Sequence, residues 1–112
     1  MVTSIDRTLA GLATPARRQI VDHLRRGPRR TGELAAACGL SMPAMSRHLR
    51  VLRRCQLVEG GGLDDDARGR VYRLRPEPFT DLQAWLNQVH AFWGGQLAAF
   101  KAHVERTKGR RP

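Results

Sequence analysis

The segment from Leu34 to Val58 restricts the possible folds more than any other part of the chain. It contains no Asp or Glu, yet Arg47, Arg50, Arg53 and Arg54 all fall inside it. On a helical wheel of about 100° per residue, the stretch opening at Ser41 places Met45, Leu49 and Leu52 on one side. Pro43, Ser46, Arg47, Arg50 and Arg54 take the opposite side. One face is suited to a core and the other is an arginine stripe. A face that only meets solvent normally mixes Glu with Arg for i,i+4 pairing, and this one does not.

The flanking residues give that helix its neighbours. Ser41 is its expected N-cap, the pattern carries on to about Cys55, and Pro43 is tolerated in a first turn whose N–H groups lack intrahelical partners. Upstream, Thr31 is read as the cap of a helix through Glu33 to Cys38, with Gly39 at a left-handed C′ position. Earlier still, Thr14-Pro15 opens a helix with Ile20, Val21 and Leu24 on one face, and Gly27-Pro28 ends it. Two short helices joined by a glycine turn, the second with a bare basic face, are what a helix-turn-helix needs to enter a major groove.

Downstream, Leu57-Val58-Glu59 and Arg70-Val71-Tyr72-Arg73-Leu74 read as two strands of a hairpin or wing, joined by a Gly- and Asp-rich link. From Pro78 to about Glu105 the pattern is helical again. Leu82, Leu86, Val89, Trp93, Leu97, Phe100 and Val104 recur at coiled-coil-like spacing, and Trp85 and Phe92 widen the stripe. That is more aromatic surface than a small domain covers alone. Burial against a second copy is the economical expectation, joined by a short N-terminal helix around Ile5, Leu9 and Leu12. The expected interface is therefore Leu9, Leu12, Leu82, Trp85, Leu86, Val89, Trp93, Leu97 and Phe100.

At 112 residues with 41% hydrophobic content, the chain suffices for one domain, read as residues 1–105, followed by a basic tail over 106–112 expected to be disordered. The expected class is mainly α with a β-hairpin wing. The formal charge is +10, and 18 of the 20 basic residues are Arg; two copies would carry +20 (2 × 10). Phosphate backbones are the natural complement, since the planar guanidinium fork matches phosphate oxygens and guanine edges. No apolar run approaches the ~18 residues of a membrane span, and the N-terminal residues lack a secretory pattern. A cytoplasmic location is expected, where Cys38 and Cys55 stay as thiols. An enzyme is disfavoured: there is no nucleophile elbow, phosphate loop or carboxylate pair, and Gly60-Gly61-Gly62 precedes no helix.

The runs ATPARRQIVDHL, GELAAACGLSMPAMSRHLRVLRRCQLV and GRVYRL resemble the ArsR/SmtB family of winged helix-turn-helix repressors over nearly the whole chain. The resemblance implies a homodimer joined through its first and last helices, operator binding, and release on a signal. Its DNA-facing positions fall on Thr31, Met42, Pro43, Ser46 and Arg47. The wheel adds Arg50, and Ser41, Arg54, Arg68 and Arg70 complete the expected contact set. By side-chain chemistry Ser46 suits a base or phosphate, Arg47 a guanine edge and Met42 a thymine methyl. The wing departs from the family, with Asp64-Asp65-Asp66 ahead of Arg68 and Arg70, so wing contacts must fall to the arginines.

The familiar metal sites are not matched. Where relatives carry Cys-x-Cys, this chain has Arg30-Thr31-Gly32, and Asp81-Leu82-Gln83 and His103-Val104-Glu105-Arg106 break the acid-x-His and His-x-x-acid spacings. A transition metal such as nickel, zinc or cobalt held by His90, His103 and Glu105 stays open as an alternative. So do a thiol-redox switch at Cys38 and Cys55 and a partnership with a separate co-regulator protein. His48 flanks the apolar side and reads as a core or capping residue, and His23 lies among arginines of the second helix with no partner evident in the sequence.

Overall fold

The computed structural model describes residues 2–60 and 69–108. Its elements run α1 (Ser4–Gly11), α2 (Pro15–Leu24), β1 (Arg29–Arg30), α3 (Thr31–Cys38), α4 (Met42–Arg54), β2 (Val58–Gly60), β3 (Val71–Leu74) and α5 (Pro76–Lys108). The chain divides into two compact units, Met1–Asp81 and Leu82–Pro112, where the sequence pattern suggests one domain over 1–105.

In the first unit, each helix is delimited by its own residues. Thr3 caps α1 in a reciprocal box: its backbone N–H donates to Asp6 Oδ2 at 2.9 Å, and its hydroxyl accepts from the Asp6 N–H at 3.2 Å. The Thr3 backbone N–H, and then its hydroxyl, hold the Asp6 carboxyl below the usual range. The other end of α1 is closed by arginines of α2. Arg17 Nε donates to the Gly11 carbonyl at 2.8 Å and Arg18 to the Leu12 carbonyl at 2.7 Å, which puts two cations at the negative end of the helix. Thr14 caps α2 by accepting from the Arg17 N–H at 3.3 Å, with Pro15 in the first turn, as the sequence implies.

Gly11 is buried where α1 meets the end of α4. A Cβ there would lie 2.5 Å from Leu57 Cδ1 and 3.2 Å from Cys55 Cβ, and Leu57 is itself fully buried. Gly11→Ala is therefore expected to cost about 1–3 kcal/mol through overpacking. A lower urea midpoint at unchanged slope would record it; an unchanged midpoint would mean that α1 is free to shift away.

The α3–α4 pair closes as its residues dictate. Gly39 takes the left-handed conformation, φ 65°, and Ser41 Oγ accepts from the Ala44 N–H at 3.3 Å. Met45, Leu49 and Leu52 are buried, joining Ile20, Leu24, Leu34, Leu57, Val58 and Tyr72 in one core. Helix α4 ends through Gln56, a non-glycine residue at φ 62°. This lets the Leu57 N–H reach back to the Leu52 carbonyl at 3.0 Å.

Two features depart from the sequence reading. Arg29–Arg30 forms a strand, giving a three-stranded antiparallel sheet in the order β1-β3-β2, with Arg30 opposite Val71 and Val58 opposite Leu74. Because of that strand Thr31 does not cap α3. Its N–H and its hydroxyl both donate to the Arg70 carbonyl, at 3.0 and 3.3 Å, and Glu33 Oε1 accepts instead from the Arg30 N–H at 3.4 Å. On β3 it is Tyr72 that turns inward, while Val71 is exposed.

The second unit is the greater part of α5, which runs to Lys108, three residues past the expected end. No described residue of this unit, 82–108, is buried, whereas Pro78, in the part of α5 that belongs to the first unit, is. No helix among the described residues is long and apolar enough to cross a membrane.

Candidate nucleic-acid interface

The exposed face of α4 is set by the buried one. With Met45, Leu49 and Leu52 held in the core, Pro43, Arg47, Arg50, Arg53 and Arg54 project outward and Ser46 is half-exposed. Arg53 and Arg54 also fall in the last turn, where cations complement the negative end of the helix dipole. No carboxylate lies within salt-bridge distance of these arginines among the described residues.

Beside this face, α3, α4 and β3 enclose a notch of about 140 Å³. Thr31, Ser46, Leu49, Arg50, Arg53, Arg70 and Tyr72 line it. Three arginines and a serine around so small a space offer the charge-assisted N–H and O–H donors that a phosphate group would accept from. Thr31, Ser46, Arg50 and Arg70 were expected from sequence. Arg53 and Tyr72 were not, although Arg53 lies three residues from Arg50 and seven from Ser46, which is same-face spacing.

The remaining expected contacts are placed as follows. The Ser41 hydroxyl is engaged in capping, and Met42 packs partly against the core, which draws it back from the outer face. Thr31 is 3% exposed with its hydroxyl committed to Arg70, so it holds β3 to the start of α3 rather than standing free on the surface. Arg70 is exposed. Arg68, with Asp64, Asp65 and Asp66, lies outside the described residues.

On α5, Trp85, Phe92, Trp93, Leu97 and Phe100 are 40–67% exposed, and Leu82, Leu86 and Val89 are half-exposed. Phe92 and Trp93 stack edge to face, with centroids 6.3 Å apart. Leu9 is exposed, while Leu12 packs against the core of its own unit. His90, His103 and Glu105 are exposed, and among the described residues no three His, Cys, Asp or Glu side chains gather as metal ligands do. Cys38 and Cys55 are half-buried against the core, and burial pushes the Cys38 thiol up, away from the reactive thiolate.

Residues 14–59, which run from the cap of α2 into β2, match the model of the bacterial regulatory protein arsR family. The chain is 39% identical over 104 residues to the HTH-type transcriptional regulator Rv2034 of Mycobacterium tuberculosis, covering 91% of this chain and 90% of that one. Among solved structures it is similar to an ArsR-like transcriptional regulator from Rhodococcus sp. RHA1, at 26% identity, TM-score 0.74 and 92% coverage of both chains. It is also similar to the homodimeric winged helix-turn-helix DNA-binding domain of Mb0332 from Mycobacterium bovis, at 28% identity, TM-score 0.59 and 79% coverage of both. With α3 and α4 set as a helix-turn-helix, β2 and β3 as its wing, and a close relative along nearly its whole length, the chain belongs to the ArsR family of bacterial transcriptional regulators.

Proposed function

We propose that this protein is a homodimeric repressor of the cytoplasm that binds operator DNA through α4 and releases it on a signal. The observation that carries the reading is the acid-free arginine face of α4, held outward by a fully buried opposite face and continued by the phosphate-sized notch. The family is one of regulators and not of enzymes, and the Mycobacterium bovis relative is described as a homodimeric DNA-binding domain.

The second copy is supported by α5. Gly94 and Gly95 adjoin in mid-helix with nothing within 4 Å of either Cβ position, at a cost of about 2 kcal/mol in helix propensity. A helix that carries this cost and five exposed large apolar side chains is best kept intact by burying its stripe against a partner.

Two substitutions separate base reading from backbone binding. Arg47 lies in the N-terminal half of α4, which a helix in the major groove brings to base edges, whereas Arg54 is about two turns further on and meets phosphate. Arg47→Ala is expected to cost roughly 1–3 kcal/mol on the operator and much less on random duplex. Arg54→Ala is expected to weaken both alike and to lower the slope of log affinity against log salt by about one. Titrations on an operator selected from random duplexes, repeated at several salt concentrations, read both. If neither substitution alters binding, the arginine face is only solvated and the proposal fails.

A further inference from the structure

A second cavity lies in the first unit, away from the arginine face. It is a groove of about 630 Å³ between α2, the end of β3 and the first turn of α5. Val21, Leu24, Leu74 and Phe79 supply its apolar wall, and Arg73 and Arg75 line it with them. The wall is preformed, because Leu24 is buried and the other three pack against the core. The volume falls in the range of small-molecule sites, and an apolar lining with a few convergent polar groups is their usual composition.

The charges define what fits. Arg75 meets Glu77 only at 3.8 Å, across a solvent-exposed pair, which is a weak hold. Arg25, also on the groove, pairs with exposed Asp22 at 3.5 Å. Arg73 stands across the ladder from Glu59, but among the described residues no ion pair holds it. A long apolar wall beside available guanidinium groups complements a molecule with an apolar body and one anionic head. A carboxylate is the head that Arg grips with two parallel hydrogen bonds.

Strand β3 connects this groove to the DNA-facing side. Tyr72 and, just before the strand, Arg70 line the notch beside α4, while Arg73, Leu74 and Arg75 line the groove. Tyr72 and Arg75 are three residues apart, about 10 Å along an extended chain. The Arg70 carbonyl in turn accepts both bonds from Thr31 at the start of α3. A ligand that displaces the end of β3 acts directly on the segment that lines the notch and anchors α3.

We propose that the groove is the effector site and that the signal is a small amphipathic carboxylate, an aliphatic or aromatic acid, whose binding weakens the hold on DNA; this rests on the DNA-binding reading above. By linkage, a ligand that loosens DNA must itself bind more weakly to the DNA complex.

The test uses the full chain and decanoate, with 1-decanol and acetate as controls for tail and head. Amide shifts mapped by NMR are expected to saturate with one decanoate per chain and to centre on Val21, Leu24, Leu74 and Phe79. Arg73→Gln with Arg75→Gln, both at solvent-accessible positions, is expected to weaken decanoate about tenfold or more, as the loss of a charged partner implies. The same variant is expected to keep its dispersed spectrum, and decanoate is expected to lower operator affinity for the parent protein but not for the variant. Shifts spread over the arginine surface without saturation would overturn the proposal. So would shifts at the groove that grow with protein concentration alone, which would identify it as a contact between copies. Saturable binding that leaves operator affinity unchanged would overturn the effector role. Failure of the ligand-free protein to bind any selected duplex is a separate result, and it would count against the DNA-binding reading instead.

Discussion

Leu86→Glu combined with Trp93→Glu is expected to give a monomer whose affinity for its operator falls by about a thousandfold, towards the level of random duplex. Leu86 is half-exposed and Trp93 is 58% exposed; they lie seven residues apart on one stripe of α5, with Val89 between them. Neither contributes to the core of the first unit, so the double variant should keep its helix-turn-helix intact. Its effect should come through valence. One copy contacts one half-site, and losing the second removes both its base contacts and its share of the phosphate contacts. Sedimentation velocity reads the mass and a salt-controlled titration reads the affinity. Persistence of the dimer in the double variant would place the interface elsewhere, with α1 and exposed Leu9 as the next candidate.

The second large effect concerns stability. Leu52 has no solvent exposure, and it lies one turn before the point where α4 hands over to β2. Leu52→Ala should cost about 2–5 kcal/mol, the sum of lost transfer energy and an unfilled cavity. Domains of this size are stable by roughly 5–15 kcal/mol, so the variant would sit near the edge of folding. Arg54→Ala, two residues away on the outer face, should change stability by no more than about 0.5 kcal/mol. Urea unfolding of the pair makes the comparison. If the two variants lose similar amounts, α4 is not the element around which the core is organised.

How much of this was legible in the sequence depends on whether the determining interactions are local. Helix α4 is bounded as the sequence implies because its signals lie within it: Ser41 at the cap, the apolar positions Met45, Leu49 and Leu52, and the arginines opposite them. Thr14-Pro15 and Gly39 were legible for the same reason. Thr31 was misread because its partner is the Arg70 carbonyl, 39 residues away, and no local pattern shows that a hydroxyl will be drawn from capping into a sheet. Strand β1 is two residues long and exists only because β3 lies alongside it; in sequence it is two arginines after a Gly-Pro turn. Gln56 occupies a left-handed position usually given to glycine, so the end of α4 was legible from where the apolar pattern stops and not from a glycine signal. Arg53 could have been found from its spacing, whereas Tyr72 could not, since its place in the notch depends on the register of β3. The stripe of α5 was plain in the sequence, and its large apolar side chains remain exposed in the single chain.

The sheet order has a consequence for behaviour at high concentration. With β3 in the centre, the two strands left at the edges are the two-residue β1 and the three-residue β2. Open edges are where sheets recruit foreign strands and begin to aggregate, and long, flat, uncharged ones do so most readily. Here one edge consists of Arg29 and Arg30, and the other carries Glu59 at its middle position. Each described edge is too short and too charged to template an added strand, so the apolar strand residues Val58, Val71, Tyr72 and Leu74 are held in a sheet that is hard to extend.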